Sequence, residues 1–482
     1  MSKARSRTEP EVSFQNPLVT RYASRDMAAL WSGQSRYGTW RRVWLAAAEA
    51  QHALGLPITK THLAAMRRAL DDIDFDGVAE HERRTRHDVM AHIHAFGEAA
   101  PNAAGVIHMG MTSMDVVDNA DLILMRSALE LLIARAAATC RVLADFCEEY
   151  ADLPALGFTH LQPAQLTTVG KRASLWLAEF VEDLESLAQL RADLKCRGLR
   201  GATGTQASFL KLLGSAAKVE RLERDFASRL GFDDVYPVCG QTYSRKVDAQ
   251  ILNTLAAMAA GVIKVSNDIR LLAMLKEIEE PFETKQVGSS AMPYKRNPAR
   301  CERATGLSRY LMTLASNGLI TLSDQMLERT LDDSSAKRIV MPEAFLAADA
   351  ILVLMENIFD GMVVYPATIA ARIEAELPFI ASENILMEAV SRGGNRQELH
   401  ERIRAHAQAA GARVKGEAKP NDLIDRLKGD AAFKGIRWSD VMRPAAYVGL
   451  APRQTRQFLS KRVRPLLRTF QGAKAPRTSL RV

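Results

Sequence analysis

Apolar residues recur every three or four positions through five long stretches of this chain, and that period predicts its core. The stretches are Asp118 to Tyr150, Val169 to Arg197, Arg245 to Glu280, Pro298 to about Leu327, and Pro342 to Met362. The first, about 33 residues, would span about 50 Å as one helix. Before them, residues 17–100 read as shorter helices. Thr39 to Leu54 carries the helical period through Trp40, Val43, Trp44, Ala47 and Ala48, and Pro57 ends it. Pro101 and the segment Gly105 to Gly110 close this part. After Pro366 the pattern returns to short helices, broken at Gly393-Gly394, Gly411, Pro420 and Pro444. No segment alternates with period two, and no repeat of 20–50 residues is present. The expectation is an all-α protein of three domains: an N-terminal helical domain 1–111, a central bundle of five long helices 112–364 that forms the oligomer core, and a C-terminal helical domain 365–482. The tail after Gly472 is expected to be loose.

Composition agrees with helices. Aromatic content is 6% and hydrophobic content 47% over 482 residues. The charge, 64 basic less 56 acidic residues or +8, would suit an anionic partner. No Lys/Arg run is interleaved with aromatics, which argues against nucleic acid. The basic stretch Arg453 to Arg468 reads as an amphipathic helix with a solvated face. Five cysteines, an odd number without CxxC, argue against a disulfide framework or a cysteine zinc site and for a reducing compartment. No run approaches 18 apolar residues, so no membrane span is expected. Residues 1–16 are polar, unlike a secretory leader. Lys3, Arg5 and Arg7 leave a transit peptide open, and Glu9 and Glu11 oppose it.

The chemistry concentrates in a few motifs. Val287-Gly288-Ser289-Ser290-Ala291-Met292-Pro293-Tyr294-Lys295-Arg296-Asn297-Pro298 is a proline-framed loop with hydroxyls, N–H groups and cations to offer one anion. That set suits a reaction in which charge builds on a carboxylate. Gly157 to Gln165 places His160 between two long helices, beside Thr159. A lone histidine there is more often a surface or capping group. Its neighbours and the signature loop favour proton transfer. In Arg86-His87-Asp88, Arg86 and His87 read as anion-binding groups. His92 and His94 read as helix surface or core, because no HExxH or completing carboxylate supports a metal. Glu328 to Arg338 gathers hydroxyls and cations where a helix could start, with Ser334 as candidate N-cap and Arg338 one turn on. Such a terminus suits phosphate. Gly240 to Lys246 offers Gln241, whose amide could read a purine-like edge. The glycine loop Gly201 to Gly204 is not GxxxxGK[ST], so nucleoside-triphosphate binding is not expected.

Together and in this order the motifs resemble the adenylosuccinate lyase family of the fumarase/aspartase superfamily, in the branch that includes animal enzymes. The loop matches GSSxMPxKxNP at every fixed position. RYAS at Arg21–Ser24, RHDVMAH at Arg86–His92, Thr112-Ser113, LGFTHLQPAQLTTVGKR at Leu156–Arg172, TGTQASF, GQTYSRK, ERTLDDS and ELPFIASENI carry the likeness from about Arg21 to about Phe470. GVIHMGMTS departs from the family's GIIHLGATS at Met109 and Met111 without removing a functional group.

The resemblance implies a C–N lyase of purine biosynthesis. It would eliminate fumarate from adenylosuccinate, giving AMP, and from the succinyl-aminoimidazole carboxamide ribotide, with no cofactor and no metal. It implies Ser289 as base, His160 as acid, Lys295 as charge stabiliser and His87 as helper. Thr112, Ser113, Thr159 and Asn297 would hold carboxylates, and Ser290 would bind substrate. Arg21, Tyr22, Arg329, Ser334 and Arg338 would hold phosphate. Arg86, Asp88, Gln241 and Arg303 would hold base and ribose. A cytoplasmic homotetramer with sites shared between chains follows from the same likeness. Independently, a long first helix separates Thr112 and Ser113 from His160 within one chain, so a common site needs two chains. A lyase for another succinyl compound would keep Ser289 and His160 without the phosphate set. A non-catalytic, crystallin-like protein would not need Ser289, His160 or Lys295 intact.

Overall fold

The computed structural model describes residues 13–283, 285–288, 290–472 and 480. Five helices form the bundle: α1 (Ser113–Glu149), α2 (Val169–Asp193), α3 (Lys246–Met274), α4 (Ala299–Asp324) and α5 (Asp332–Asp360). With 37 residues, α1 runs about 55 Å. It packs on α2 and α5, while α3 packs chiefly on α4 and also on α2 and α5. The α1–α2 crossing is close because Gly170 faces the Cys147 carbonyl. A Cβ there would stand 2.4 Å from that oxygen.

Helix starts follow local chemistry. Thr112 precedes α1, and its N–H donates to the Asp115 carboxylate at 2.7 Å. Thr168 precedes α2, and its hydroxyl accepts from the Lys171 N–H. Two expectations change here. The fifth helix begins at Asp332 rather than Pro342, and Pro342 lies inside it. Proline there removes the bond to the Arg338 carbonyl. Burial of Val340, Met341, Ala344 and Phe345 around it holds the helix together. Ser334 is therefore not an N-cap but lies in the first turn, after Leu331.

The chain also contains β-structure that its period does not announce. β1 (Pro154–Thr159) pairs antiparallel with β2 (Gln162–Thr168), from Pro154 opposite Thr168 to Thr159 opposite Gln162. A short pair, β3 (Ile278–Glu279) with β4 (Val363–Val364), joins the end of α3 to the end of α5.

One large hydrophobic core runs from Leu18 through the bundle to Leu377 and takes up Leu459, Val463 and Leu467 again. A second core, Ala381 to Ile436, belongs to the later helices alone. The basic segment after Ala451 is helical. Leu459 and Val463 are buried, while Arg456, Arg462 and Arg464 pair on the surface with Asp152, Glu185 and Glu148. α3 is long and apolar enough to cross a membrane by length and composition, against the expectation that no segment would be. Here Ile251, Leu255, Met258, Val262, Val265 and Ile269 are buried in the bundle core. The five cysteines are free thiols. Residues 473–479, where a loose tail was expected, lie outside the described residues.

Candidate active site

Polar groups gather at two opposite ends of the bundle. At the end where α1 and α5 begin, His87 caps the helix Asp88–Ala99, its Nδ1 accepting from the Met90 N–H at 3.3 Å. A neutral ring in that pose carries its proton on Nε2, which stands 3.5 Å from the Ser113 hydroxyl. Arg86 sits before it in the left-handed region, at φ 53°. Asp88 turns to α5 and pairs with Arg338. Burial pushes the Asp88 carboxyl up, and the hydrogen bond and charge of Arg338 outweigh it, leaving it below its ordinary value. Arg329 donates to the Gln241 carboxamide oxygen at 2.9 Å, and the Gln241 amide donates to the Ala202 carbonyl at 3.0 Å. Gln241, expected to read a base edge, thus braces Arg329 in this conformation. Arg329, Ser334, Lys337 and Arg338 line one cleft with Trp31 and Arg36. Arg21 and Tyr22 lie in a separate wide turn, Leu18–Tyr22, packed on α5.

Beneath that cleft lies a charge network which the sequence reading did not single out. Asp118, fully buried, pairs with Arg245 at 3.0 Å and with Lys337 at 3.6 Å. Arg245 also pairs with Asp333 at 2.6 Å, and Lys337 with Asp121 at 3.0 Å. The Lys337 ammonium donates to the Tyr243 hydroxyl at 2.6 Å, which donates to Asp248. Burial and Arg245 pull the ammonium down, but Asp121, Asp248 and Asp118 hold it above its ordinary value. A neighbouring acid, Asp115, is buried against Arg197. The signal was present: Asp115, Asp118 and Asp121 recur every third residue at the start of an apolar helix, one face of charge that needs cations.

Two histidines near this end are held neutral. His108 accepts from the Trp44 indole N–H at 3.0 Å, and burial lowers its pKa to about 4. His92 stacks on Tyr37 with ring centres 3.9 Å apart, and burial and Arg41 lower it likewise to about 4. His94 stacks on His81. His92 and His94 are therefore packing groups, as read from the sequence.

The other end carries the signature loop and the hairpin. Ser289, the expected base, lies outside the described residues. Around it, Asn297 donates to the Gly288 carbonyl at 2.7 Å, and the Lys295 N–H donates to the Met292 carbonyl at 3.0 Å. Only glycine fits at 288, since a Cβ would stand 2.1 Å from the Lys295 carbonyl oxygen. Ser290 is exposed on this loop. Lys295, Arg296 and Asn297 line a broad cleft with Arg270 and Glu302, and Arg303 follows in the first turns of α4. His160 and Leu161 form the two-residue turn of the β1–β2 hairpin, at φ 53° and 58°. That is the primed hairpin turn, normally made by Asn or Gly. His160 is thus held at an exposed hairpin tip, beside an exposed Thr159.

A single chain does not unite the two ends. From Arg338 to the end of α5 at Asp360 is 22 residues, about 33 Å, and β4 and β3 lead from there into the signature loop. α1 separates Thr112 and Ser113 from the hairpin by about 55 Å. Arg86, His87, Asp88, Ser113, Gln241, Arg329, Ser334 and Arg338 are thus brought together. Thr159, His160, Lys295 and Asn297 belong to the far end. Among the described residues no three His, Cys, Asp or Glu side chains converge as metal ligands.

Residues 28–312 match the family described as Lyase, and residues 378–458 the adenylosuccinate lyase C-terminus. The adenylosuccinate lyase of Saccharomyces cerevisiae is 50% identical over 466 residues, 95% of this chain and 96% of that protein. Those of Schizosaccharomyces pombe and Schistosoma mansoni are 49% and 44% identical, covering 95% and 97% of this chain and 97% and 99% of those proteins. Among solved structures, the fumarate lyase from Mesorhizobium sp. BNC1 superposes with a TM-score of 0.78 at 23% identity, over 92% of this chain and 99% of that one. The 3-carboxy-cis,cis-muconate lactonizing enzyme from Pseudomonas putida gives 0.81 at 22%, over 93% and 99%. At those identities the structures show the fold alone.

Proposed function

The chain belongs to the adenylosuccinate lyase family, and from that membership we propose that it eliminates fumarate from two purine precursors, adenylosuccinate and succinyl-aminoimidazole carboxamide ribotide. The observation that carries this reading is the 50% identity sustained over 95% of the chain.

Elimination removes a proton from the carbon beside a carboxylate and then breaks the C–N bond. The Cβ proton is weakly acidic, so its removal needs a base and a cradle for the dianion that forms. Ser289 is the base in this reading, its alkoxide favoured by the loop N–H groups and the Lys295 ammonium. Lys295 and Asn297 hold the charge as it moves onto the carboxylate. Asn297 first exchanges its bond to the Gly288 carbonyl for the substrate. His160 protonates the leaving nitrogen. Thr112, Ser113, Thr159 and Ser290 hold the succinyl carboxylates, and His87 supports this group through its Nε2–H toward Ser113. Arg21, Tyr22, Arg329, Ser334 and Arg338 take the phosphate, and Arg86, Asp88, Gln241 and Arg303 the ribose and base. No cofactor takes part.

Two half-sites at opposite ends of a rigid bundle support a shared site, completed by other copies of the chain in a homotetramer. Exposed Tyr310, Met312, Leu319, Ile320 and Ile339 on α4 and α5 offer apolar surface for that association. The domain division 1–111, 112–364 and 365–482 follows the same scheme, and free buried thiols fit a cytoplasmic enzyme. Purified protein should change the absorbance of adenylosuccinate and of the ribotide, releasing fumarate stoichiometrically. A protein that leaves both untouched while cleaving another succinyl compound would overturn the substrate assignment.

A further inference from the structure

The hairpin that carries His160 and the loop that carries Lys295 are tied together inside one chain by a single buried carboxylate. Glu277 ends the turn after α3 and is 1% exposed. Its carboxylate lies 3.9 Å from the Arg172 guanidinium and 3.1 Å from that of Arg372. Burial pushes the Glu277 carboxyl above its ordinary value, and the charges of Arg172 and Arg372 oppose it, so these two guanidiniums hold the triad together. Arg172, in the first turn of α2, donates to the Leu156 carbonyl and lies 6.0 Å from the Phe158 ring centre. Both residues are on β1, two and four positions before His160. In the other direction, Glu277 runs directly into β3. There Glu279 accepts from the Tyr365 hydroxyl at 2.8 Å and pairs with Arg296 of the signature loop at 3.4 Å. The Glu277 carbonyl also accepts from the Tyr365 N–H at 2.9 Å. Arg372 lies on the helix Pro366–Ile380, which packs on β1 and β2.

We propose that Glu277 is a positioning residue, fixing the His160 hairpin and the signature loop relative to the bundle through Arg172 and β3. This rests on the proposed roles of those two elements. A buried carboxylate between two guanidiniums has one low-energy arrangement. Without its charge the buried Arg172 keeps only Asp268 to compensate it and must shift, taking the Leu156 carbonyl and the strand with it. Where hairpin and loop of one chain serve different sites, the link joins two sites.

The test is Glu277→Gln, which keeps shape and removes charge. Expected is a fall in kcat of about 10–100-fold, the scale of an ångström-sized misplacement, with KM within about threefold and an unchanged assembly. Glu277→Asp should recover part of the loss. Arg372→Gln, at a partly exposed position, should show a smaller loss of the same kind if Glu277→Gln does not fold. The link is then dissected in hybrids. Glu277→Gln is placed on the Ser289→Ala chain, whose hairpin supplies His160, and separately on the His160→Ala chain, whose loop supplies Ser289. Each mixture should be slower than the hybrid of His160→Ala and Ser289→Ala alone. A kcat within twofold of the parent in the folded variants, a loss confined to KM, or slowing in only one of the two mixtures would overturn the proposal. Silence of the reference hybrid would instead refute the shared site, leaving the homo-oligomeric kcat to decide on Glu277.

Discussion

Arg338 on the second turn of α5 is paired with Asp88, 250 residues away at the start of the helix that His87 caps. Arg338 lines the cleft in which phosphate is proposed to bind, so a bound phosphate would compete with Asp88 for it. Arg338→Ala should raise KM by about 10–100-fold, from charge-assisted bonds of about 1.5–3 kcal/mol, with little change in kcat. An analogue without phosphate should bind parent and variant alike. Equal loss of affinity for that analogue would place Arg338 elsewhere.

Ser289→Ala should reduce turnover by at least about 100-fold while substrate still binds, because a base acts on the reaction and a loop hydroxyl does not build the core. Equilibrium binding and single-turnover rates measure the two separately. Turnover within tenfold of the parent would remove Ser289 from the role of base.

His160→Ala and Ser289→Ala chains, each inactive alone, should recover activity when unfolded and refolded together. With equal pools and random assembly about a quarter of sites receive both native residues. Hybrid assemblies without activity above the separate variants would end the shared-site reading.

Asp118→Ala should be strongly destabilising. It leaves Arg245 and Lys337 buried with a carboxylate missing, and breaking a buried pair from one side costs about 3–5 kcal/mol. Denaturant midpoints at fixed protein concentration report it. A change below about 1 kcal/mol would show that Asp121, Asp248 and Asp333 suffice.

Stability should fall as pH drops from about 6.5 toward 4. His92 and His108 are each lowered to about 4 in the folded chain, from the ordinary 6.5. The unfolded chain therefore takes up protons first, and each histidine removes about 1.4 kcal/mol per pH unit inside that window. Their contribution is whole above 6.5 and lost below 4. His92→Gln should flatten the slope by about one proton. An unchanged slope would mean His92 titrates normally.

Much of this protein is local, and what is local was legible. The five bundle helices follow from the apolar period, because burying one face of a helix requires nothing but the spacing of residues along it. The signature loop was identified by its own residues, and the separation of Thr112 and Ser113 from His160 by helix length alone. Where the reading failed, a neighbour decided. The hairpin turn at His160-Leu161 carries none of the Asn-Gly chemistry that marks such turns, and its tip is exposed on both faces, so no alternation shows. Pro342 looked like a helix start, since proline costs about 3 kcal/mol inside one, and packing around Val340, Met341 and Phe345 outweighs that cost. Ser334 moved from cap to first turn for the same reason. The contacts of Gln241 with Arg329 and Ala202 were likewise not legible in the sequence. The pairs Arg338–Asp88, Arg245–Asp118 and Arg172–Glu277 join residues about 100 to 250 positions apart. The sequence determined which groups this chain possesses and the straight elements that carry them. Which charge meets which was decided only by packing, because an ion pair depends on distance in space and buried charges have no other way to leave water.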